Sequence, residues 1–438
     1  MINFLRKIIP RKMLLWYHKM LAMLSVLMYG LPTNKMKVIG VTGTNGKTTT
    51  VNLIKAILVE ADKKTGMIST VNFRIRNREW LNTSKITTFG RLKLRKLLRQ
   101  MLKAGCEYVV IEVSSHAITQ HRVWAINFDT AVLTNLTHEH LDYHKDMEEY
   151  QKTKGQLFSD TVSSRRKSGA LKCVVLNADS RSFEYFKEFK GDKNIYYGLC
   201  QKASLRAENI KLRPNGISFK ATAPRGDIDI KLKLVGEFNV YNALAAIGAG
   251  ICHNIPLETI KKALEKFDGV PGRMEKVQEG QNFTVIVDYA HTPDAFEKIF
   301  ENVRKMSKGR IISVFGATGD RDKTKRPMLG KIAAQYSKYI FLTLEDPASE
   351  DPVDIINQIE PGLIEKDKKL NIDYFKIVDR KEAIKRAFSC ARAGDIVLLL
   401  AKGHETVMAM KEGYVPWDDR QVARKELQKL LKAKNARE

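Results

Sequence analysis

The segment Gly40-Val41-Thr42-Gly43-Thr44-Asn45-Gly46-Lys47-Thr48-Thr49-Thr50 has the residue types of a phosphate-binding turn. Glycines let backbone N–H groups approach phosphate oxygens, and a following helix adds partial positive charge. Lys47 reaches the terminal phosphates and Thr48 is placed to ligate Mg²⁺. The spacing Gly43-x-x-Gly46-Lys47-Thr48 is shorter than the standard phosphate loop. Such a loop needs a carboxylate on a neighbouring strand to hold the metal, and Glu112 closes the run Tyr108-Val109-Val110-Ile111. Taken alone, a Glu ending an apolar strand is equally a neighbour of a helix cap. It is followed by Ser114, Ser115 and His116, where a parallel strand empties into the ligand crevice. A third segment carries His138, Glu139, His140, Asp142 and His144, three His and two carboxylates within seven residues. That density points to metal or phosphate chemistry.

These groups need rigid supports. Apolar runs at 37 to 41, 108 to 113, 128 to 133 and 173 to 177 alternate with helical stretches, which predicts a mostly parallel sheet covered by helices. The phosphate loop joins the first strand to a helix running through Leu58. Residues 205 to 235 alternate polar and apolar, as in Ile217-Ser218-Phe219-Lys220. They predict a small antiparallel insertion before a helix beginning near Asn239. After the turn cluster Gly269-Val270-Pro271-Gly272, strands are expected at 283 to 288, 310 to 315, 339 to 343 and 396 to 400. The expected α/β organisation is a short basic amphipathic segment (1–36), a P-loop central ATP-binding domain (37–270) and a Rossmann-like C-terminal domain (271–438). Within the first segment, residues 10 to 29 read as one helix with Arg11, Lys12, His18 and Lys19 on a narrow polar stripe. His18 and Lys19 interrupt the run needed to span a bilayer, and no small-residue cleavage site follows. Two readings stay open: packing on the protein's own body, or docking on an anionic membrane surface.

The 438 residues include 75 Lys+Arg against 49 Asp+Glu, a formal net charge of +26. Hydrophobic residues at 44% and aromatics at 8% exclude a disordered or collagenous chain. Five scattered cysteines without CxxC spacing imply neither a zinc site nor a disulfide framework, and fit a reducing cytosol. The charge excess suits an anionic partner or a solvated basic face. No nucleic-acid recognition module appears and the basic residues lack aromatic interleaving, so nucleic acid is not the expected partner. A nucleic-acid-binding P-loop protein is the alternative from another class; tight, salt-sensitive duplex binding would mark it.

Gly43 to Thr49, Glu112 to His116, Asn135 to His144 and Asn239-Val240-Tyr241-Asn242 together resemble the Mur ligase family. Asp288-Tyr289-Ala290-His291-Thr292-Pro293-Asp294, Gly319-Asp320-Arg321-Asp322 with Lys325-Arg326-Pro327, and Lys402-Gly403-His404-Glu405 are similar to the members that add a diamino acid as third residue. The likeness runs from residue 37 to about 425, with the motifs in order. It implies a cytoplasmic, monomeric, ADP-forming ligase of peptidoglycan precursor synthesis, acting on UDP-N-acetylmuramoyl-L-alanyl-D-glutamate through an acyl phosphate. Its partners are that substrate and a diamino acid, its cofactors ATP and two Mg²⁺. By this resemblance Thr48, Glu112 and His140 hold metal, and Lys154 becomes a CO₂-derived carbamate that holds the second ion. Lys47, Lys154, His140 and Glu112 form the catalytic set. The ATP set is Gly43, Thr44, Asn45, Gly46, Lys47, Thr48, Thr49, Asn242 at adenine, Arg273, Asp288 at ribose, His291, Asp320, Arg321, Lys325 and Arg326. The substrate set is Thr87, Thr88, Ser115, Arg122, Glu345, Asp346, Ala348, Lys402, Gly403, His404, Glu405 and Arg420. A related amide ligase on a different carboxylate, such as a folylpolyglutamate synthetase, is the alternative enzyme.

Several positions depart from the family. The loop that reads Asp-Asn-Pro-Arg in diaminopimelate-adding members is Glu345-Asp346-Pro347-Ala348 here. An Arg fork suits a second carboxylate, whereas Ala348 offers no charge and Glu345 and Asp346 offer two negative ones. Lysine is therefore the expected amino acid, with ornithine or another diamino acid open. Glu139 replaces an Asp, Phe89 a Pro and Ala401 a Gly. The 36 residues before the first strand are too few to form the family's uridine-gripping domain. A partner supplies that grip, or the central domain suffices, or the substrate is not a UDP-sugar. Nine of the 75 cations belong to the site so defined, and most of the +26 is a property of the outer surface.

Overall fold

The computed structural model describes residues 11–84, 87–137, 146–213, 216–306 and 308–435. The chain divides into two compact units. The first comprises residues up to Lys211 with Ile217–Lys233 and Glu237–Asp268; the second comprises Leu212–Gly216, Leu234–Gly236 and the chain from Gly269 onward.

The first unit is built on β1 (Lys37–Thr42), β2 (Thr65–Ile68), β3 (Asn72–Ile75), β4 (Arg78–Leu81), β5 (Tyr108–Glu112), β6 (Thr130–Leu133), β7 (Cys173–Asn177), β8 (Lys193–Gly198), β9 (Leu205–Arg213), β10 (Gly216–Ala223) and β11 (Gly226–Leu232). They form one sheet in the order β11-β10-β9-β8-β7-β6-β1-β5-β2-β3-β4. The central strands are buried on both faces, which is why they read as unbroken apolar runs. β1 lies parallel between β5 and β6, with Val41 beside Glu112 and Thr42 beside Leu133. The loops leaving these three strands therefore emerge at one edge of the sheet, and that register gathers the phosphate loop, residues 113–116 and residues 134–137.

The alternating stretch 205 to 235 contains, as expected, an antiparallel pair, β10 and β11, which extends this same sheet, while β9 joins it in parallel with β8, Tyr197 opposite Leu205. The opposite edge is the hairpin β3–β4, pairing antiparallel to β2. Half-buried edge strands lack the apolar continuity that marks central ones.

The helices of this unit are α1 (Arg11–Tyr29), α2 (Lys47–Glu60), α3 (Arg91–Lys103), α4 (Ser115–Thr119), α5 (Met147–Ser163), α6 (Phe183–Lys187), α7 (Phe238–Cys252) and α8 (Leu257–Lys266). α5 starts at Asp146, whose side chain accepts from Glu149 N at 2.8 Å, with Glu148 and Glu149 in the first turn. Its buried residues Tyr150, Lys154, Leu157 and Phe158 recur every three or four positions, so one face packs inward. Leu157 and Phe158 join Val38, Ile111, Phe128 and Leu133 in the core, which anchors Lys154 beneath the loops. No helix among the described residues is long and apolar enough to cross a membrane.

The second unit contains β12 (Glu275–Val277), β13 (Thr284–Val287), β14 (Ile311–Phe315), β15 (Tyr339–Leu342), β16 (Tyr374–Lys376) and β17 (Ile396–Leu399), in the order β12-β13-β17-β14-β15-β16. All neighbours are parallel except β12. A separate hairpin pairs β18 (Val407–Met410) with β19 (Gly413–Pro416). The helices are α9 (Pro293–Met306), α10 (Lys325–Tyr336), α11 (Pro352–Ile364), α12 (Arg380–Cys390) and α13 (Asp419–Asn435). Val285, Val314, Phe341, Leu399, Ala387 and Leu427 share the core. An ion pair that the sequence did not announce crosses it: Arg380 Nε and Nη2 donate to Asp419 at 2.8 and 2.6 Å, both side chains wholly buried, and Nη2 also reaches Leu400 O at 2.8 Å. This fixes the chain leaving β17, and with it Lys402.

Candidate active site

In the first unit the phosphate loop is braced from both sides. Thr44 N donates to Asn135 O and Asn45 N to Asn135 Oδ1, each at 2.9 Å, while Thr134 Oγ1 donates to Asn45 O at 2.6 Å. Gly43 and Gly46 have φ of 147° and 81°. A Cβ on Gly43 would lie 1.9 Å from Thr134 Oγ1, and one on Gly46 2.2 Å from Asn242 Oδ1. Only glycine fits this cradle. Asn242 in turn accepts from Thr50 Oγ1 at 3.4 Å and donates to Asn239 at 2.9 Å, so the family tetrapeptide on α7 backs the loop.

Thr48 Oγ1 donates to both oxygens of Glu112 at 3.0 Å, and Thr70 N donates to Glu112 Oε2 at 2.8 Å. Both side chains are buried. Two oxygen donors thus meet at the start of α2, the chemistry of a hard cation. Lys47 Nζ folds back on Gly43 O at 3.0 Å and Thr44 O at 2.5 Å. Lys154 is 1% exposed; its Nζ donates to Gly43 O at 2.9 Å and lies 4.5 Å from the Tyr150 ring. The structure therefore brings Lys154, Lys47, Thr48 and Glu112 together around the phosphate loop. His140 and the rest of 138–145 lie outside the described residues. Among those described, no three His, Cys, Asp or Glu side chains are gathered as a metal site.

Beside this cluster, Thr88 Oγ1 donates to Glu112 O at 3.0 Å, and Arg122 Nη1 donates to Thr88 O at 2.5 Å. Arg122 also holds Gln120 at 2.7 Å. Ser115 Oγ is buried with no hydrogen-bond partner among the described residues. Thr87 is half-buried next to Thr88. Residues not singled out from the sequence support this pair: Thr70 holds Glu112, and Asn52, paired with Asn72 at 2.9 Å, donates to Thr48 O at 3.0 Å. Isolated polar residues carry no spacing signal that would have exposed them.

In the second unit Asp288 accepts from Met274 N and Ala290 N, each at 2.7 Å, and burial raises its pKa while Arg273 opposes the rise. Arg273 stacks 4.5 Å from the Tyr289 ring centroid, and its buried Nε has no hydrogen-bond partner among the described residues. The rings of His291 and His404 lie 4.7 and 5.1 Å from Tyr289. Gly403 packs its backbone against Tyr289 and Gly272. Lys325 donates to His291 O at 3.2 Å, and burial lowers its pKa despite Glu345 and Asp322 nearby. Arg321 is exposed.

Three residues of the expected set are held by partners within the protein. Arg326, expected at the nucleotide, is fully buried and donates to Glu350 at 2.9 and 3.0 Å, Gln358 at 2.7 Å and Thr318 O at 3.1 Å. The guanidinium holds the Glu350 carboxyl down at a pKa of about 2. Asp320 accepts from Ser349 Oγ at 2.6 Å and so ties the same two loops. Arg420, expected at the substrate, is held by Asp418 at 2.9 and 2.6 Å.

The acidic loop is also differently charged from its sequence. Lys402, 0% exposed, donates to Asp346 at 2.7 Å, Glu405 at 2.6 Å and Val407 O at 2.9 Å. Asp346 is thereby compensated, and Glu345 becomes the distinctive group. It is 4% exposed and accepts from Thr318 Oγ1 at 3.1 Å. Burial first, then Asp346 and Glu405, raise its pKa, with Lys402 opposing. Ala348 joins β18 by its backbone, N to Ala409 O at 3.0 Å, while Ala409 N donates to Asp346 at 2.8 Å.

Comparison with known proteins bears on these two clusters. Residues 41–250 match the Mur ligase middle domain and residues 272–403 the Mur ligase, glutamate ligase domain. A UDP-N-acetylmuramoyl-L-alanyl-D-glutamate--2,6-diaminopimelate ligase of Geobacillus thermodenitrificans is 44% identical over 404 residues, 92% of this chain and 81% of that protein. A UDP-N-acetylmuramyl-tripeptide synthetase of Roseiflexus is 42% identical, covering 94% and 82%. Among solved structures, a diaminopimelate ligase of the first kind superposes with a TM-score of 0.64 at 28% identity, covering 90% of this chain and 79% of that one. The folylpolyglutamate synthase of Mycobacterium tuberculosis shares the fold, with a TM-score of 0.69 at 15% identity over 89% of this chain and 95% of that one. On these matches the chain belongs to the Mur ligase family.

Proposed function

We propose that the chain is an ATP-dependent, ADP-forming ligase that joins a diamino acid, lysine favoured, to UDP-N-acetylmuramoyl-L-alanyl-D-glutamate in peptidoglycan precursor synthesis. The observation that carries this reading is the meeting of Thr48, Glu112 and the buried Lys154 at one phosphate loop. In-line transfer between two anions asks for positioning and cationic neutralisation rather than covalent help from the protein.

The N–H groups of Gly43 to Thr49 and the start of α2 would cradle the ATP phosphates, with Asn242 toward adenine. Lys47 would exchange its two loop carbonyls for phosphate oxygens. Thr48 and Glu112, joined by His140 on the family resemblance, would hold Mg²⁺, which when bound neutralises charge on the transferred group. A carboxylate of the D-glutamate residue attacks the γ-phosphorus and the bond to ADP breaks. The incoming amine then attacks the acyl carbon, phosphate leaves and the amine loses one proton. Ser115 and Arg122, with Thr87 and Thr88, would orient the muramoyl peptide. Lys154 suits carbamate formation: its ammonium loses one proton, the neutral amine adds to CO₂ and loses a second, and the carbamate oxygens would then hold a second ion where a buried cation stood. In the second unit, Arg273, Asp288, His291, Arg321 and Lys325 would serve the nucleotide, and Arg326 and Asp320 shape their loop.

The preference for lysine rests on charge. Glu345, Asp346 and Glu405 outnumber Lys402, and a substrate ammonium would relieve the raised pKa of Glu345. A second carboxylate would meet these acids with no guanidinium at position 348. Phosphate release with the UDP-muramoyl dipeptide across a panel of diamino acids tests both levels. No stimulation by any amino acid defeats the ligase assignment; comparable rates with lysine and meso-diaminopimelate defeat the preference.

A further inference from the structure

α1 is apolar almost all round, yet it is buried on one side only. Ala22 and Ser25, each 1% exposed, face α3, where Ser25 Oγ accepts from Arg95 Nε at 3.0 Å and Tyr29 O from Arg99 at 3.1 Å. The opposite side shows Met13, Trp16, Met20, Leu24, Leu27 and Met28 at 44% to 83% exposure. At ~100° per residue these six fall within an arc of roughly 120°, centred opposite Ala22. A contiguous apolar ridge of this kind on a protein surface marks an interaction site.

The layer behind the ridge is cationic. No Asp or Glu precedes Glu60 in the chain, and α3 carries Arg91, Lys93, Arg95, Lys96, Arg99 and Lys103 with no acidic residue. Lys19, Lys93, Lys96, Arg99 and Lys103 are exposed. Along α3 runs a cavity of about 590 Å³ lined by Tyr29, Trp80, Phe89 and Leu92, with Lys93 and Lys96 in its wall. Apolar side chains beside unbalanced positive charge complement a surface that is apolar inside and anionic outside.

We propose that α1 and α3 form a docking face for anionic lipid bilayers, with α1 lying in the plane of the interface. An exposed Trp and a Met/Leu ridge enter the acyl boundary, and the α3 cations meet the headgroups. This face is independent of the ligase assignment, because it is read by binding and not by turnover.

The test is co-sedimentation of the full chain with vesicles of phosphatidylcholine, with or without 30% phosphatidylglycerol, at two salt concentrations. Binding is expected only with the anionic vesicles, weaker at high salt and accompanied by a blue shift of Trp fluorescence. Trp16→Glu/Leu27→Glu should abolish it, and Lys93→Gln/Lys96→Gln should weaken it by about fivefold per charge removed. Thermal melting of both variants should match the parent, since all four side chains are at the surface. Equal binding to neutral vesicles, no binding at low salt, or unchanged binding by Trp16→Glu/Leu27→Glu would overturn the proposal. So would a stable dimer that the same double variant dissociates, because a second copy would then own the ridge.

Discussion

Replacing Lys402 by Met removes one ammonium and little volume, so its effect isolates charge. The ammonium is wholly buried and serves two carboxylates, Asp346 at 2.7 Å and Glu405 at 2.6 Å, themselves 6% and 8% exposed. Breaking a buried pair from one side costs about 3–5 kcal/mol, because the partner is left charged and desolvated. Here one cation holds two anions beside Glu345, so the upper end, about 5 kcal/mol at pH 7.5, is expected for the second unit. The loss should shrink on acidification. Lys402 opposes the raised pKa of Glu345, so its loss lifts that folded value further above the unfolded one, the native state takes up a proton and stability recovers as pH falls toward 5. Trp417 is the one tryptophan from Gly269 onward, and its Nε1 donates to Asp419 at 2.8 Å. Fluorine-labelled tryptophan would therefore report urea unfolding of this unit through a single resonance. A second replacement, Glu405→Gln, should restore part of the loss in the Lys402→Met background. A destabilisation under about 1 kcal/mol, the range of exposed pairs, or one that does not change between pH 7.5 and 5, would refute the reasoning.

Other perturbations separate the remaining roles. Lys154→Ala should lower turnover by about 10³-fold or more while leaving ATP binding measurable, and ¹³C-bicarbonate should give a carbamate resonance in the parent but not the variant. Glu345→Gln should raise stability at neutral pH: the raised folded pKa means that ionised Glu345 costs stability as pH rises above the unfolded carboxyl value, and the gain should vanish below it. The same variant should raise the KM for lysine by about tenfold or more, the worth of one charge-assisted hydrogen bond. Ala348→Arg should shift the ratio of kcat/KM toward meso-diaminopimelate by at least about tenfold, measured by competition between the two amino acids.

Much of the first unit was legible because its chemistry is local. The phosphate loop and Glu112 at the end of an apolar run are each visible within a dozen residues, and parallel pairing of β1 with β5 and β6 brings them together, whereas Lys154 alone reads as a surface lysine on a helix and was reached only through the family resemblance. What escaped depends on distant partners. The alternation in 205 to 232 announced strands but not the sheet that owns them, since β8 recruits β9. Arg326 and Lys402 were read only as ligands, yet they also tie to Glu350 and Asp346 in the interior, and the buried Arg380–Asp419 pair was not singled out; these partners lie 24 to 56 positions away. No periodicity encodes such pairs. Arg420 shows the same limit at short range, because its partner Asp418 was visible while their hydrogen bonding was not.

The stitching of the 345–348 loop to the β18–β19 hairpin has an evolutionary reading. Ala348 is fastened through its main-chain N–H, and the loop's neighbour Asp346 through Ala409 N and Lys402. None of these fastenings uses the side chain at 348. On the proposed function, a change there would alter which amino acid is chosen while leaving these fastenings in place, within the limits that a φ of 52° sets on the side chain. Transplanting residues 345–348 alone into a relative would fail where residues 402–410 did not travel with them. On the proposed function, the unit inherited together would be the pair of segments, with one variable letter set in a fixed frame.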